Sequence, residues 1–149
     1  MNSCRDNTIV RYGVFMIVGL NHIAIAVPDL EKAIERFLHD FGLSFQGVED
    51  VPSAKTTTAF FPIKGTKIEL IHPLNEQGPV QKFLEKRGGG LHHICFETDD
   101  IEADMKKLQA KGYRFLSDGP VPGAHNTKVA FIHPKSAGGV LIELAEMPK

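Results

Sequence analysis

Residues 20–27 alternate between large apolar and small or polar side chains. Ile23, Ile25 and Val27 share one face, and His22, Ala24 and Ala26 share the other. That period of two predicts a half-buried strand. The period then changes. Leu30, Ala33, Ile34, Phe37, Leu38 and Phe41 recur at i, i+3, i+4, i+7, i+8 and i+11, which predicts an amphipathic helix. Asp29 stands at its N-cap, and Gly42 marks its end. Extended segments follow over 43–49, 55–62 and 67–72. The same order then returns: a strand over 91–98, a helix over 100–110 stopped by Gly112, and strands over 113–118, 128–132 and 140–145. Residues 79–86 read as a short helix, and Gly88, Gly89 and Gly90 as a flexible join.

The recurrence extends to the wording. Gly19-Leu20-Asn21-His22-Ile23 matches Gly90-Leu91-His92-His93-Ile94, an offset of 93 − 22 = 71. Pro28-Asp29-Leu30-Glu31 matches Asp99-Asp100-Ile101-Glu102. Two copies are too few for a solenoid, so the pattern implies an α+β domain made of two tandem βαβββ modules. Their curved mixed sheets, each covered by a helix on one face, would enclose a cleft with the other. The single domain is expected over 16–149, with modules at about 17–75 and 88–147. Residues 1–15 read as an N-terminal extension.

In this register the open face presents His22 in the first copy and His93 in the second, beside Leu91 and Cys95. Strand neighbours point to opposite sides, so His92 falls with Ile94 and Phe96 and reads as structural, or as a support to His93. The last strand of each copy carries a carboxylate between aliphatics, Ile68-Glu69-Leu70 and Ile142-Glu143-Leu144, at a spacing of 143 − 69 = 74. If the aliphatics are buried, the carboxylate faces the other way. Each module thus offers one imidazole and one carboxylate: His22, Glu69, His93 and Glu143. Two of each suit a divalent transition ion such as cobalt, manganese, nickel or zinc. Taken alone, the pattern leaves both a metal site and a solvent-facing polar stripe open.

Composition narrows the field. A net charge of −1 over 149 residues gives no electrostatic footprint for nucleic acid or an anionic membrane. No apolar run is long enough to span a bilayer as a helix. Two cysteines, Cys4 in the extension and Cys95 in a strand, make no disulfide framework, and a cytoplasmic location is expected. Cys95 has no evident activating partner. Glu97 lies in the cleft-facing register but reads as structural, and His72 and His133 as turn residues before prolines. Lys82, Lys86 and Arg87 read as a solvated helix face. Lys135 and Ser136 are candidate contacts for a phosphate or carboxylate of a substrate.

The phrases "NHIAIAVPDLEKAIERF", "TKIELIHPL", "FLEKRGGGLHHICFETDDI" and "FIHPKSAGGVLIELAE" resemble the vicinal oxygen chelate superfamily, which includes glyoxalases, bleomycin resistance proteins and dioxygenases. Within it they resemble the methylmalonyl-CoA epimerases, over about 17–147. The resemblance implies a divalent metal ion, often cobalt, on His22, Glu69, His93 and Glu143, although some members have glutamine where Glu69 stands. It also implies a homodimer, an acyl-CoA substrate, and interconversion of the (2R) and (2S) forms of methylmalonyl-CoA through an enolate. Glu143 is then a candidate base. Some members carry a further carboxylate on the third strand of the first half. Here that region reads Lys55-Thr56-Thr57-Thr58-Ala59, so a two-glutamate mechanism does not transfer intact. Two alternatives share the fold: a glyoxalase-type lyase acting on a glutathione hemithioacetal, and a non-catalytic small-molecule-binding protein.

Overall fold

The computed structural model describes residues 17–149; the expected extension over 1–15, with Cys4, lies outside them. The first module runs β1 (Ile17–Ala26), α1 (Leu30–Glu35), β2 (Val48–Val51), β3 (Thr56–Ile63) and β4 (Thr66–Pro73). After the linking helix α2 (Pro79–Arg87), the second runs β5 (Gly90–Thr98), α3 (Ile101–Ala110), β6 (Val121–Pro122), β7 (Lys128–Ile132) and β8 (Ile142–Glu146). The βαβββ duplication is therefore present in the fold. The module sheets are fused into one eight-stranded sheet, in the order β2-β3-β4-β1-β5-β8-β7-β6. At its centre β1 and β5 pair antiparallel, and each is flanked by the parallel closing strand of its own module.

Alternation explains the layering. Val27, Ala59, Phe61 and Leu70 form a core under α1, sealed by Ala33, Phe37 and Leu38. Ala130 and Leu144 do the same under α3, with Ile101 and Met105. On the opposite face Ala24, Ala26 and Ile71 pack beneath Val80, Phe83 and Leu84 of α2, leaving the rest of that face for the cleft. Asp29 and Asp100 cap their helices by accepting from the backbone N–H of Lys32 and Ala103.

Four expectations require correction. The first helix is not α-helical to Phe41: Arg36–Asp40 forms a π-helical turn, with the Phe41 N–H bonded to the Arg36 carbonyl. The wider turn rotates the apolar stripe, and Phe41 is 61% exposed rather than in the core. The strand expected over 43–49 begins only at Val48, because Gly47 sits at φ +112, a conformation that interrupts an extended chain. The strand expected over 113–118 is reduced to one bridge, Phe115 to Ile132, and pairing resumes at β6. Finally, β1 and β5 are not regular. Their pairing steps from Leu20–Phe96 to His22–Cys95, leaving Asn21 as an extra residue, and from Ala24–His93 to Ile25–Leu91, leaving His92 as another. Asn21 and His92 are equivalent positions of the two copies, so these two bulges repeat with the modules, whereas a third shift, at Val18, has no counterpart in β5. A bulge breaks strict alternation, and His92 lines the cleft instead of facing away from it.

Candidate functional site

The cleft has a volume of about 330 Å³ and is walled by both modules. Strand β1 delivers His22, β4 Glu69, β5 His93 and β8 Glu143, and all four side chains lie within it. Each is buried, at 6, 6, 9 and 6% exposure respectively. A buried ionised group is costly unless paired, so four such residues together need a shared explanation.

Three of them converge on one point. His22 Nε2 lies 3.1 Å from His93 Nε2 and 3.1 Å from Glu143 Oε2, and His93 Nε2 lies 2.8 Å from the same oxygen. Despite these short separations Glu143 Oε2 receives no hydrogen bond of acceptable geometry, and it is buried. Lone pairs aimed at a common centre produce this pattern; pairwise hydrogen bonds do not. Two ligand atoms each roughly 2.1 Å from an ion, at right angles, stand about 3 Å apart, so the triangle fits a divalent ion.

The remaining ring nitrogens are held from behind. His22 Nδ1 is 2.7 Å from both Asn21 Oδ1 and Glu69 Oε2, which holds a proton on Nδ1 and makes Nε2 the nitrogen that gives up its proton when an ion binds. Asn21 in turn donates to Glu97 Oε2 at 3.1 Å. His93 Nδ1 is 2.8 Å from His92 Nδ1. Burial first, then the neighbouring His93, lower the pKa of His92 to about 4, so His92 is neutral and can accept from His93. A hydrogen bond on the distal nitrogen is the usual way an imidazole is oriented toward a metal. Both bulge residues, Asn21 and His92, perform that support.

Glu69 is placed differently from Glu143. It contacts the far nitrogen of His22 rather than the converging triangle, and it faces Lys67 Nζ at 3.7 Å. Lys67 escaped attention in the sequence, yet it stands two residues before Glu69 on one strand and therefore shares its face. Burial opposes charge on His22, but the adjacent carboxylates of Glu143 and Glu69 outweigh it and raise its pKa to about 9. Burial likewise pushes Glu143 up, while His22 and His93 pull it down to about 2. Burial and the Glu143 carboxylate raise the Cys95 thiol far above its ordinary range. Its sulfur, a His22 nitrogen and a Glu143 oxygen lie within 4.8 Å of one another, but as a thiol it is a poor nucleophile.

Other residues singled out in the sequence lie elsewhere. His72, expected in a turn, lies within β4, and its Nδ1 donates to the Val27 carbonyl just past β1; His133 Nδ1 accepts from the Lys135 N–H and braces a turn. Lys135 and Ser136 occupy the turn Pro134–Ser136 outside the cleft lining, and Ser136 Oγ accepts from the Arg114 N–H. No helix among the described residues is long and apolar enough to cross a membrane.

Fold and donor set together define a two-module α+β domain built around a site for a divalent ion. The family model described as the glyoxalase/bleomycin resistance protein/dioxygenase superfamily matches residues 21–131. An ethylmalonyl-CoA/methylmalonyl-CoA epimerase of Cereibacter sphaeroides is 46% identical over 134 residues, spanning 89% of this chain and all of the relative. The crystal structure of a methylmalonyl-CoA epimerase from Mycobacterium tuberculosis superposes with a TM-score of 0.86 at 34% identity, covering 94% of this chain and 96% of that one. A Streptomyces coelicolor methylmalonyl-CoA epimerase variant, solved with 2-nitronate-propionyl-CoA, gives 0.85 at 32% identity, covering 89% and 99%. The chain belongs to the glyoxalase/bleomycin resistance protein/dioxygenase superfamily, among its methylmalonyl-CoA epimerases.

Proposed function

We propose that the protein interconverts (2R)- and (2S)-methylmalonyl-CoA by removing and returning the proton at C2, with a divalent ion held by His22, Glu69, His93 and Glu143. The observation that carries this reading is the buried triangle of two imidazole nitrogens and a carboxylate oxygen, with edges of 2.8–3.1 Å. Cobalt is the ion we favour, with manganese, nickel and zinc as alternatives. When bound, it supplies a Lewis acid for the negative charge that develops on the thioester oxygen.

The chain's own residues do the rest. Asn21 and His92 fix the ring orientations of His22 and His93. Glu69 neutralises charge beside His22. Glu143 is ionised at neutral pH and is the proton acceptor we assign to one face of C2. Inversion needs a second proton carrier on the other face. From β3 the cleft receives the hydroxyls of Thr56 and Thr58, and no carboxylate. Lys135 and Ser136 lie outside the cleft, so we assign them to the part of the acyl-CoA that extends beyond it. The reading includes a homodimer, a cytoplasmic location and a place in propionate metabolism, each supported by the family resemblance.

Incubation of metal-loaded protein with methylmalonyl-CoA in heavy water tests the proposal. Deuterium should enter at C2, stop on chelation and resume when cobalt is returned. Turnover of a glutathione hemithioacetal without C2 exchange would replace the epimerase with a lyase. Failure to bind any divalent ion would favour a sequestering protein.

A further inference from the structure

We infer that Lys67 is a specificity-determining residue: its ammonium receives the free carboxylate of the acyl group and selects dicarboxylic thioesters over simple acyl thioesters. The inference deepens the proposed epimerase function and rests on it.

The first observation is position. Lys67 alternates with Glu69 and Ile71 on β4, and all three line the cleft. The side chain is only 19% exposed, which is unusual for a lysine. Its ammonium lies 5.5 Å from the centre of the Phe60 ring, within cation–π range. The aromatic ring and the cleft wall therefore hold the amine in place without satisfying its donors.

The second observation is that incomplete pairing. The nearest carboxylate oxygen, Glu69 Oε2, is 3.7 Å away, beyond a normal N–H···O bond. Glu69 spends the same oxygen on His22 at 2.7 Å. A lysine ammonium has three N–H groups to satisfy. Among the described residues none accepts from Lys67 within hydrogen-bond distance.

The third observation is charge. Two glutamates offset the charge of a divalent ion. Lys55, the other lysine lining the cleft, is exposed and solvated. The loaded cleft thus retains one uncompensated positive charge, located at Lys67. A methylmalonyl group brings one negative charge, its carboxylate, whereas a propionyl group brings none. Recognition of a carboxylate by an ammonium is a charge-assisted bond of the stronger kind.

Calorimetric binding of racemic methylmalonyl-CoA and of propionyl-CoA to the cobalt-loaded protein, with ion content measured in each sample, provides the test. A racemic ligand keeps its composition during turnover. The unaltered protein should prefer methylmalonyl-CoA. Lys67→Met should shrink that preference by about ten- to a hundredfold, through methylmalonyl-CoA alone, and Lys67→Arg should restore most of it. If Lys67→Met loses its fold or its cobalt, Lys67→Gln carries the same comparison. An unmoved preference, or equal weakening of both ligands, would assign Lys67 to support of Glu69 and overturn the inference. C2 exchange by the unaltered protein separates the two levels. If exchange persists while the preference is unmoved, only the role of Lys67 falls; if exchange is absent and neither ligand is preferred, the epimerase function falls with it.

Discussion

The two modules carry the same donor pair, an imidazole on the first strand and a carboxylate on the last, yet they use the carboxylate differently. In the second module Glu143 follows Leu141 by two residues, has no lysine beside it, and is drawn onto the two Nε2 atoms. In the first module Glu69 follows Lys67, and it is shared between that ammonium and the back of His22. Duplication supplied two equivalent carboxylates, and one residue two positions upstream separated their roles. One is the oxygen we assign to proton transfer at the ion site. The other, which we assign to the same ion, rests here against the back of His22 and beside Lys67.

The asymmetry predicts unequal responses to matched substitutions. Glu143→Gln should lower C2 hydrogen exchange in heavy water by about 10³-fold even at saturating cobalt, because it removes the proton acceptor. Equal activity would take Glu143 out of that role. The next largest effect is on pH. In the metal-free protein His22 keeps its proton up to about 9, so an ion must displace it. Cobalt affinity should therefore rise roughly tenfold per unit from pH 7 toward 9 and level off above. Calorimetry in buffers of different ionisation enthalpy should detect about one proton released per ion at pH 8. A flat profile would contradict the His22 assignment.

Glu69→Gln should weaken cobalt binding by about 10- to 100-fold, while exchange at saturating cobalt stays far closer to normal than in the Glu143 variant. Equality of the two variants would erase the proposed division. The smallest effect concerns equivalent glycines. Gly90, at φ +121, begins the strand bearing His93, whereas Gly19 has no positive φ and open space where a Cβ would stand. Gly90→Ala should cost about 1–3 kcal/mol in urea denaturation, and Gly19→Ala no more than about 0.5 kcal/mol.

Much of this was legible in the chain. Alternation placed His22, Glu69, His93 and Glu143 on one face, and the 71-residue offset identified the equivalent positions. The same alternation pointed to Lys67, but a lone lysine in a strand carries no repeat partner to draw attention to it. What the chain did not reveal depends on local irregularity. A π-turn and a bulge each add one residue to a regular count, and hydrophobic periodicity has no term for such an insertion. That is why Phe41 was assigned to the core and His92 to the wrong side of its strand. The edge strands, short and half exposed, lacked any buried face to give them a pattern.

The paired bulges also bear on folding accuracy. Because the ion site straddles the β1–β5 seam, a one-residue slip along that seam would send His22 and His93 to opposite sides, yet leave strand content almost unchanged. Such a molecule would look folded by circular dichroism and be unable to hold a metal. Two mirrored kinks that fit together in a single alignment guard against it, acting as a keyway that admits only the productive docking of the halves.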